Sequence, residues 1–199
     1  QGWFLGHIKQ QETDANSLYV TTDGGVNWSP VKNVNWRGQP QFVDTKNGWV
    51  LARAGQEKAF VRTTDGGRTF EPPVLVDSSA VASRFSYLML PSATYLAVDG
   101  DTVHLALTLN AGNDAQGTAY PTELCYYRSQ AGGTSFEPRR VLGTLTVDGL
   151  NGPNGCAYLA AAGGKVTIAF PQHWTTENNT VWHTGIGLFN SPDGGTTFT

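Results

Sequence analysis

The chain of 199 residues has few charges, a single methionine and two cysteines. Charged residues make up 15% of it and the formal net charge is −3, so it has no basic footprint for nucleic acid and no acidic tail. No apolar run reaches the roughly 18 residues that a membrane span needs, so we expect no direct membrane insertion. No secretion signal is recognisable, which indicates a mature chain or an excised piece. Cys125 and Cys156 allow either one disulfide or two buried free thiols.

Signatures of cofactor and metal sites are also missing. No phosphate-binding glycine loop, nucleophile elbow or dinucleotide fingerprint occurs. His173-Trp174 and Trp182-His183 flank a segment that contains Glu177, but the nine residues between the two histidines are not a recognised ligand spacing, and no cysteine joins them. We therefore expect no cofactor and no metal.

Glycine is abundant, with 24 residues, and a glycine-rich turn recurs along the chain. The Asp position of this turn falls at Asp23, at Asp65 42 residues later, at Ala131 after a further 66, and at Asp193 after a further 62. Alternating apolar and polar residues precede the copies, and no long helical period is present. The pattern predicts an all-β repeat architecture.

Each copy reads as a hairpin turn. Asp-Gly between two strand-like runs is a strong hairpin signal because glycine accepts positive φ without a steric penalty. The aspartate can accept hydrogen bonds from backbone N–H groups of its own turn, and we expect the Trp or Phe that follows to bury its ring. One carboxylate per turn, lost at Ala131, argues for a structural role and against calcium.

These turns resemble the Asp-box, or BNR repeat, with the pattern Ser/Thr-x-Asp-x-Gly-x-Thr-Trp/Phe. The repeat is found in sialidases and related glycoside hydrolases, in sortilin-type receptors and in photosystem assembly factors. The copy from Ser191 to Phe198 matches at every defined position. The resemblance implies a β-propeller with the box between the third and fourth strands of each blade. The residues assigned to the structural boxes are Asp23, Gly25, Trp28, Asp65, Gly67, Phe70, Gly133, Phe136, Asp193, Gly195 and Phe198.

The strand pattern divides the chain into four blades of antiparallel strands, 1–38, 39–78, 79–146 and 147–199. They contain three, four, four and three predicted strands. Because a propeller ring closes with about four to eight blades, we expect either one complete propeller domain or a fragment of a propeller that further blades of a longer chain complete.

Long irregular segments fall at the ends of the strands that lie away from the boxes: 77–86, 110–121, 147–155 and 171–180. Loops of this length are often functional. We therefore predict a non-catalytic recognition module, extracellular, cell-surface or periplasmic, that binds glycan or protein through this loop-rich face. The candidate ligand-binding residues are Arg84, Tyr120, Asn154, His173, Trp174 and Glu177.

An enzyme is the competing hypothesis. In the sialidases that the boxes resemble, an arginine triad binds the substrate and a tyrosine paired with a glutamate is the nucleophile. The Arg-Ile-Pro motif of the first arginine is missing here, although Glu123 near Tyr120, or the pair Tyr126-Tyr127, could supply the tyrosine and glutamate. Loop carboxylates at Asp114, Glu123, Asp148 and Glu177 are more typical of solvated charges. A third hypothesis, an assembly factor for a membrane complex, depends only on the similarity of Phe42–Trp49 to the photosystem-assembly branch.

Overall fold

In a computed structural model, the chain folds entirely into β-strands and turns over its described residues. Those residues are 2–10, 13–31, 40–54, 57–77, 87–88, 95–110, 122–145, 152–153, 157–176 and 181–199. Within these ranges the structure contains no helix long and apolar enough to cross a membrane. The prediction of an all-β chain is confirmed.

The first two sheets are antiparallel and use consecutive strands. Sheet 1 comprises β1 (Gly2–Gln10), β2 (Thr13–Thr21) and β3 (Ser29–Pro30) in the order β1-β2-β3. Sheet 2 comprises β4 (Gln41–Phe42), β5 (Gly48–Ala54), β6 (Glu57–Thr63) and β7 (Val74–Leu75) in the order β4-β5-β6-β7. β4 and the start of β5 form an antiparallel pair, with Gln41 opposite Trp49 and Phe42 opposite Gly48.

The last two sheets share an elaboration that the sequence did not predict. Sheet 3 comprises β8 (Tyr87–Leu88), β9 (Leu96–Asp99), β10 (Thr102–Asn110), β11 (Thr122–Ser129) and β12 (Arg140–Leu145). Sheet 4 comprises β13 (Gly152–Pro153), β14 (Tyr158–Ala162), β15 (Lys165–Thr176) and β16 (Val181–Ser191). In sheet 3, β8 and β9 pair with successive parts of β10, and in sheet 4, β13 and β14 pair with successive parts of β15. The first strand of each of these repeats is thus divided in two.

The chain forms two compact units, Gln1–Val76 and Asp77–Thr199. In the first unit, Leu18, Val20 and Val31 of sheet 1 form a core with Val50 and Val61 of sheet 2. In the second unit, the sheet 3 residues Ala106, Leu124 and Tyr126 form a core with sheet 4 residues. The sheet 4 residues of this core and its entry segment are Ala157, Leu159, Val166, Ile168 and Phe170. Each unit thus buries one sheet face against the sheet that follows it in the chain, as apolar strand faces require.

Two expectations need correction. Residues 171–176 do not form a loop, because β15 runs to Thr176 and pairs with β16 from Thr176↔Val181 to Val166↔Ser191. Backbone pairing along a long hairpin satisfies these polar groups more fully than a loop would. The ring of Trp28 is also not buried: it is 44% exposed, and its indole N–H donates to the Gly25 carbonyl.

Candidate functional site

Three of the four boxes have one hydrogen-bond scheme in common. In box 1 (residues 21–28), the Thr21 hydroxyl donates to Asp23 Oδ1 at 2.7 Å and accepts the Gly25 N–H at 3.0 Å. Asp23 Oδ1 also accepts the Asn27 N–H, at 3.0 Å, while Asp23 Oδ2 accepts from the Asn27 side chain. Box 2 (63–70) and box 4 (191–198) repeat these bonds through Asp65 and Asp193. The carboxylate therefore ties both sides of the turn together.

Box 3 (129–136) retains half of this scheme. The Ser129 hydroxyl accepts the Gly133 N–H at 2.9 Å, as its counterparts do. Ala131 has no carboxylate for Ser135, which occupies the position of Asn27 in box 1. The Thr134 hydroxyl donates to the Ala131 carbonyl at 2.9 Å, as the Thr196 hydroxyl does to the Asp193 carbonyl in box 4. The turn thus forms without its aspartate.

The hydrogen bonds stabilise the ionised form of each box aspartate. Bonds from the backbone and side chain of Thr197 lower the pKa of Asp193 to about 2, and bonds from Asn27 lower the pKa of Asp23 in the same way. At Asp65 burial raises the pKa, but bonds from Thr69, Thr63 and Arg68 outweigh it, so the net shift is downward. Both oxygens of each carboxylate accept hydrogen bonds within their own turn, as a structural lock requires.

Each of the last three boxes is braced by an earlier turn of its own repeat. The Gly66 N–H donates to the Lys46 carbonyl, the Gly132 N–H to the Asp101 carbonyl, and the Gly194 N–H to the Gly164 carbonyl. Lys46 lies in the turn before β5, and Asp101 and Gly164 lie directly before β10 and β15. The box and this turn therefore lie at the same end of each sheet. The opposite end of sheets 3 and 4 is called the far end below.

Sheet 3 also holds box 4 by two arginines. Arg128 Nη1 donates to the Gly194 carbonyl and to the Thr196 hydroxyl, both at 2.9 Å. Arg140 Nη1 donates to the carbonyls of Gly195 and Thr196. An ion pair with Glu137 at 2.9 Å orients Arg128. Neighbouring repeats of the second unit are thus joined by charge-assisted hydrogen bonds to backbone carbonyls.

A buried histidine–tyrosine pair lies beneath box 4. His104 Nδ1 is 2.6 Å from the Tyr126 hydroxyl, and His104 is only 1% exposed. Burial lowers the pKa of His104 to about 4. The negative charge of Asp99 raises this pKa and offsets part of the shift, while the positive charge of Arg128 lowers it further. The Tyr126 ring packs edge-to-face on Phe198 of box 4 at 4.8 Å. His104 is therefore neutral at pH 7 and belongs to the packing between repeats.

The far end carries the best-placed of the predicted ligand-binding side chains. Trp174 on β15 is half-buried and stacks on His183 of β16, with ring centroids 5.4 Å apart and ring planes 11° apart. A Cβ at Gly185 would lie 2.9 Å from the Trp174 ring, so glycine leaves room for the indole. Trp174 shares its strand face with Gln172, because alternate residues of a strand point the same way. We call Gln172, Trp174, His183 and Gly185 the far-end cluster.

Most of the other predicted ligand-binding residues lie outside the described residues: Arg84, Tyr120, Asn154 and Glu177. Described strands lie close in sequence to three of them. Tyr120 precedes the start of β11 at Thr122, Asn154 follows β13, and Glu177 follows the end of β15 at Thr176. β13 pairs with His173 and Gln172, and Asn110 of β10 pairs with Thr122. The strand ends next to these three candidates therefore meet at the far end. His173 pairs with Thr184 and not with His183.

Of the tyrosines proposed as nucleophiles, Tyr120 lies outside the described residues, and the pair Tyr126 and Tyr127 is buried. The Tyr127 hydroxyl donates to Asp77 Oδ2 at 3.1 Å and Tyr127 is 2% exposed, while Tyr126 is bonded to His104. Burial raises the pKa of both hydroxyls. A nucleophile must reach its substrate, and these two are packing residues. Glu123 lies on the same strand face as Cys125 and is 3.6 Å from Arg139.

Cys125 is a buried free thiol. Burial, followed by the charge of Glu123, raises its pKa to about 12. Of the two alternatives left open by the sequence, the free thiol is the one observed for Cys125, and Cys156 lies outside the described residues. A thiol with so high a pKa is unreactive.

Sequence reasoning missed the hydroxyls that begin the first two boxes. Thr21 and Thr63 are buried, and each accepts the N–H of the second box glycine, Gly25 or Gly67. A Ser or Thr two residues before the aspartate position is common to all four copies, so this signal was present in the sequence. The roles of Arg128 and Arg140 had no such signal, because their partners are 55 to 68 positions away.

Comparison with known proteins gives one family match. A family model described as BNR/Asp-box repeat matches residues 19–30, which cover all of box 1. No curated protein sequence gives a significant match. A solved structure of an ulvan lyase, from a polysaccharide lyase family named PL25, aligns at 12% identity over 94% of this chain. This chain covers 60% of that protein, and the TM-score of 0.38 is too low to establish a shared fold.

The family match and the geometry of the boxes agree. The matched segment contains the threonine, aspartate, glycine and aromatic residue of box 1, and the same side-chain scheme recurs at boxes 2 and 4. The chain therefore contains a BNR/Asp-box repeat at residues 19–30, and boxes 2 and 4 have the same side-chain scheme.

Proposed function

We propose that this chain is part of a β-propeller and that it is a non-catalytic, extracellular, cell-surface or periplasmic recognition module, with a glycan bound at the far end of sheets 3 and 4. The observation that carries the proposal is the fixed, half-buried indole of Trp174 in the far-end cluster. An aromatic ring held in place by its neighbours offers a large contact area at little conformational cost. The sheet faces of each unit already pack as successive blades would.

Two features favour recognition over catalysis. The boxes use their carboxylates inside their own turns. The described tyrosine hydroxyls of β11 are buried.

Gln172, at the next position on the face of Trp174, adds an amide that can donate and accept hydrogen bonds with sugar hydroxyls. A flat ring next to such a polar group is typical of a carbohydrate-contacting surface.

The test is glycan binding by the 199-residue chain and its Trp174→Ala variant on an array that includes sialylated and uronic-acid-containing glycans. We expect the wild-type chain to bind a subset of glycans, and Trp174→Ala to weaken that binding at least about tenfold, since aromatic anchors contribute about 1–3 kcal/mol or more. Trp28→Ala is the matched control, because Trp28 is also partly exposed but lies on box 1. Thermal unfolding of both variants checks that they fold.

Two other results would replace the proposal. Hydrolysis of a fluorogenic sialoside would establish the enzyme alternative. Absence of glycan binding, together with loss of a captured protein partner only in Trp174→Ala, would identify the far end as a protein-binding surface.

A further inference from the structure

The second unit is acidic. Residues 77–199 contain five Lys and Arg against nine Asp and Glu, a formal charge of −4 at pH 7. The first unit has eight Lys and Arg against seven Asp and Glu. A surface with an excess of one sign repels ligands of the same sign unless a charge of the other sign is placed at the site. The positions of the five cations therefore decide which ligands suit the far-end cluster.

Three of these cations belong to the end of the sheets opposite the far end. Arg128 and Arg140 donate to backbone carbonyls of box 4. Lys165 is the first residue of β15, and Trp174 is nine positions along the same strand. At a strand rise of about 3.3 Å per residue, the Cα atoms of Lys165 and Trp174 are about 30 Å apart. These three cations are therefore remote from the indole.

The other two cations do not offset the acidity of the far end. Arg139 lies between two carboxylates, with its guanidinium 3.9 Å from Asp77 and 3.6 Å from Glu123. Arg84 lies outside the described residues. Segments 111–121, 146–151 and 177–180 connect strand ends that meet at the far end. By sequence these segments contain three carboxylates and neither Lys nor Arg.

The hairpin that carries Trp174 has one formal charge, and that charge is negative. Among residues 166–191, which span β15 from its second residue and all of β16, the sequence has no Lys, Arg or Asp and a single Glu, Glu177. Glu177 follows Trp174 by three positions, so chain length alone keeps their Cα atoms within about 11 Å. The Debye length is about 8 Å at physiological ionic strength and about 30 Å at 0.01 M. A ligand on the indole is therefore exposed to this negative charge when the ionic strength is low.

The described side chains of the far-end cluster suit uncharged polar groups. The Gln172 amide can donate and accept hydrogen bonds with hydroxyls. The indole of Trp174 offers a flat apolar ring to the C–H bonds on one face of a sugar. Neither contact requires a charge on the ligand, whereas a carboxylate or sulfate that leaves water without a cationic partner is destabilised.

We propose that the far-end cluster binds an uncharged glycan and discriminates against glycans with carboxylate, sulfate or phosphate groups. The inference rests on the glycan-binding function proposed above and names the class of glycan. Its selectivity comes from the charge of the second unit and from the placement of the cations away from Trp174.

The experiment measures binding of the 199-residue chain to pairs of oligosaccharides that differ only at C6. Each neutral oligosaccharide of glucose, galactose or mannose is paired on one array with its C6-oxidised uronate, at pH 7 in 20 mM and 500 mM NaCl. We expect the neutral member to bind at least about tenfold more tightly in 20 mM NaCl, because the uronate meets like charge without a partner. The higher salt should narrow this difference by screening and leave the affinity of the neutral member unchanged.

Two charge-neutralising variants test the origin of the selectivity. Glu177→Gln should reduce the preference for the neutral member about twofold in 20 mM NaCl, as expected for one charge about 11 Å away in water. Asp101→Asn is the matched control, because it makes the same change in net charge at an exposed position directly before β10, at the end of sheet 3 opposite the far end. It should leave the preference unchanged.

Two results would overturn the inference. One is a uronate that binds as tightly as its neutral partner and loses that binding in Trp174→Ala and in Arg84→Gln. The glycan-binding function would then stand, with an anionic ligand held by Arg84. The other is the absence of binding to every glycan on the array, which would refute the glycan-binding function and this inference with it.

Discussion

Gly195 of box 4 lies against Tyr126 of the neighbouring repeat and leaves no room for a side chain. It has φ of +84°, and a Cβ there would lie 1.8 Å from the Tyr126 hydroxyl oxygen and 2.5 Å from Tyr126 Cζ. Gly194 beside it has φ of +66°, but a Cβ there would meet nothing within 4 Å. Gly194→Ala and Gly195→Ala therefore impose a similar backbone penalty, and only the second creates a clash.

The two variants separate the backbone cost from the steric cost. An alanine at positive φ costs about 1–2 kcal/mol, so Gly194→Ala should lower the free energy of unfolding by that amount. Gly195→Ala adds the cost of forcing an extra carbon into a packed core, about 1–3 kcal/mol. Tyr126 cannot move away easily, since it is buried, bonded to His104 and packed on Phe198. We therefore expect a difference between the variants of about 1–3 kcal/mol.

The measurement is urea unfolding of both variants, followed by hydrogen exchange of the β10 and β11 amides. This probe reports on the second unit alone, which matters because a chain of two units need not unfold in one step. Equal destabilisation by the two substitutions would refute the packing of Tyr126 against box 4. A loss at Gly194→Ala larger than at Gly195→Ala would refute it as well.

Three further predictions concern box 3, the buried His104 and the bond of Arg140 to box 4. Ala131→Asp should give box 3 the carboxylate hydrogen bonds that it lacks, to Ser129 and Ser135, and raise Tm by roughly 2–4 °C at pH 7. An unchanged or lower Tm in calorimetry would contradict this prediction. His104 has a folded pKa of about 4 against a reference of 6.5, so its contribution to stability is complete above pH 6.5 and is lost as pH falls towards 4. The expected loss of unfolding free energy is about 3 kcal/mol. His104→Gln should reduce the fall of unfolding free energy between pH 6.5 and 4.5. An unaltered slope of unfolding free energy against pH would show that His104 is not the source of the fall. Arg140→Met should destabilise the second unit by about 1–3 kcal/mol through the loss of its bonds to the Gly195 and Thr196 carbonyls. The control is Arg68→Met on the exposed edge of box 2, which should change the free energy of unfolding in urea little. Equal effects of the two substitutions would show that the bonds of Arg140 to box 4 do not stabilise the second unit.

The sequence by itself determined the all-β class and the position of every box. These features are local: an Asp-Gly-Gly turn between two alternating runs defines a hairpin within about ten residues, whatever surrounds it. The boxes with an aspartate also bond as their residue types require. The aromatic residues that end the boxes were likewise located, although the burial of each ring was not.

Tertiary structure decided the rest, because those features depend on partners distant in the chain. The extension of β15 to Thr176 comes from pairing with β16, although the polar residues there indicate a loop. The packing of Phe198 on the Tyr126 ring depends on sheet 3, which lies beside box 4. The bonds of Arg128 and Arg140 to box 4 and the burial of Tyr126 and Tyr127 follow from how one sheet lies on the next. Residue spacing along one strand carries no information on that contact.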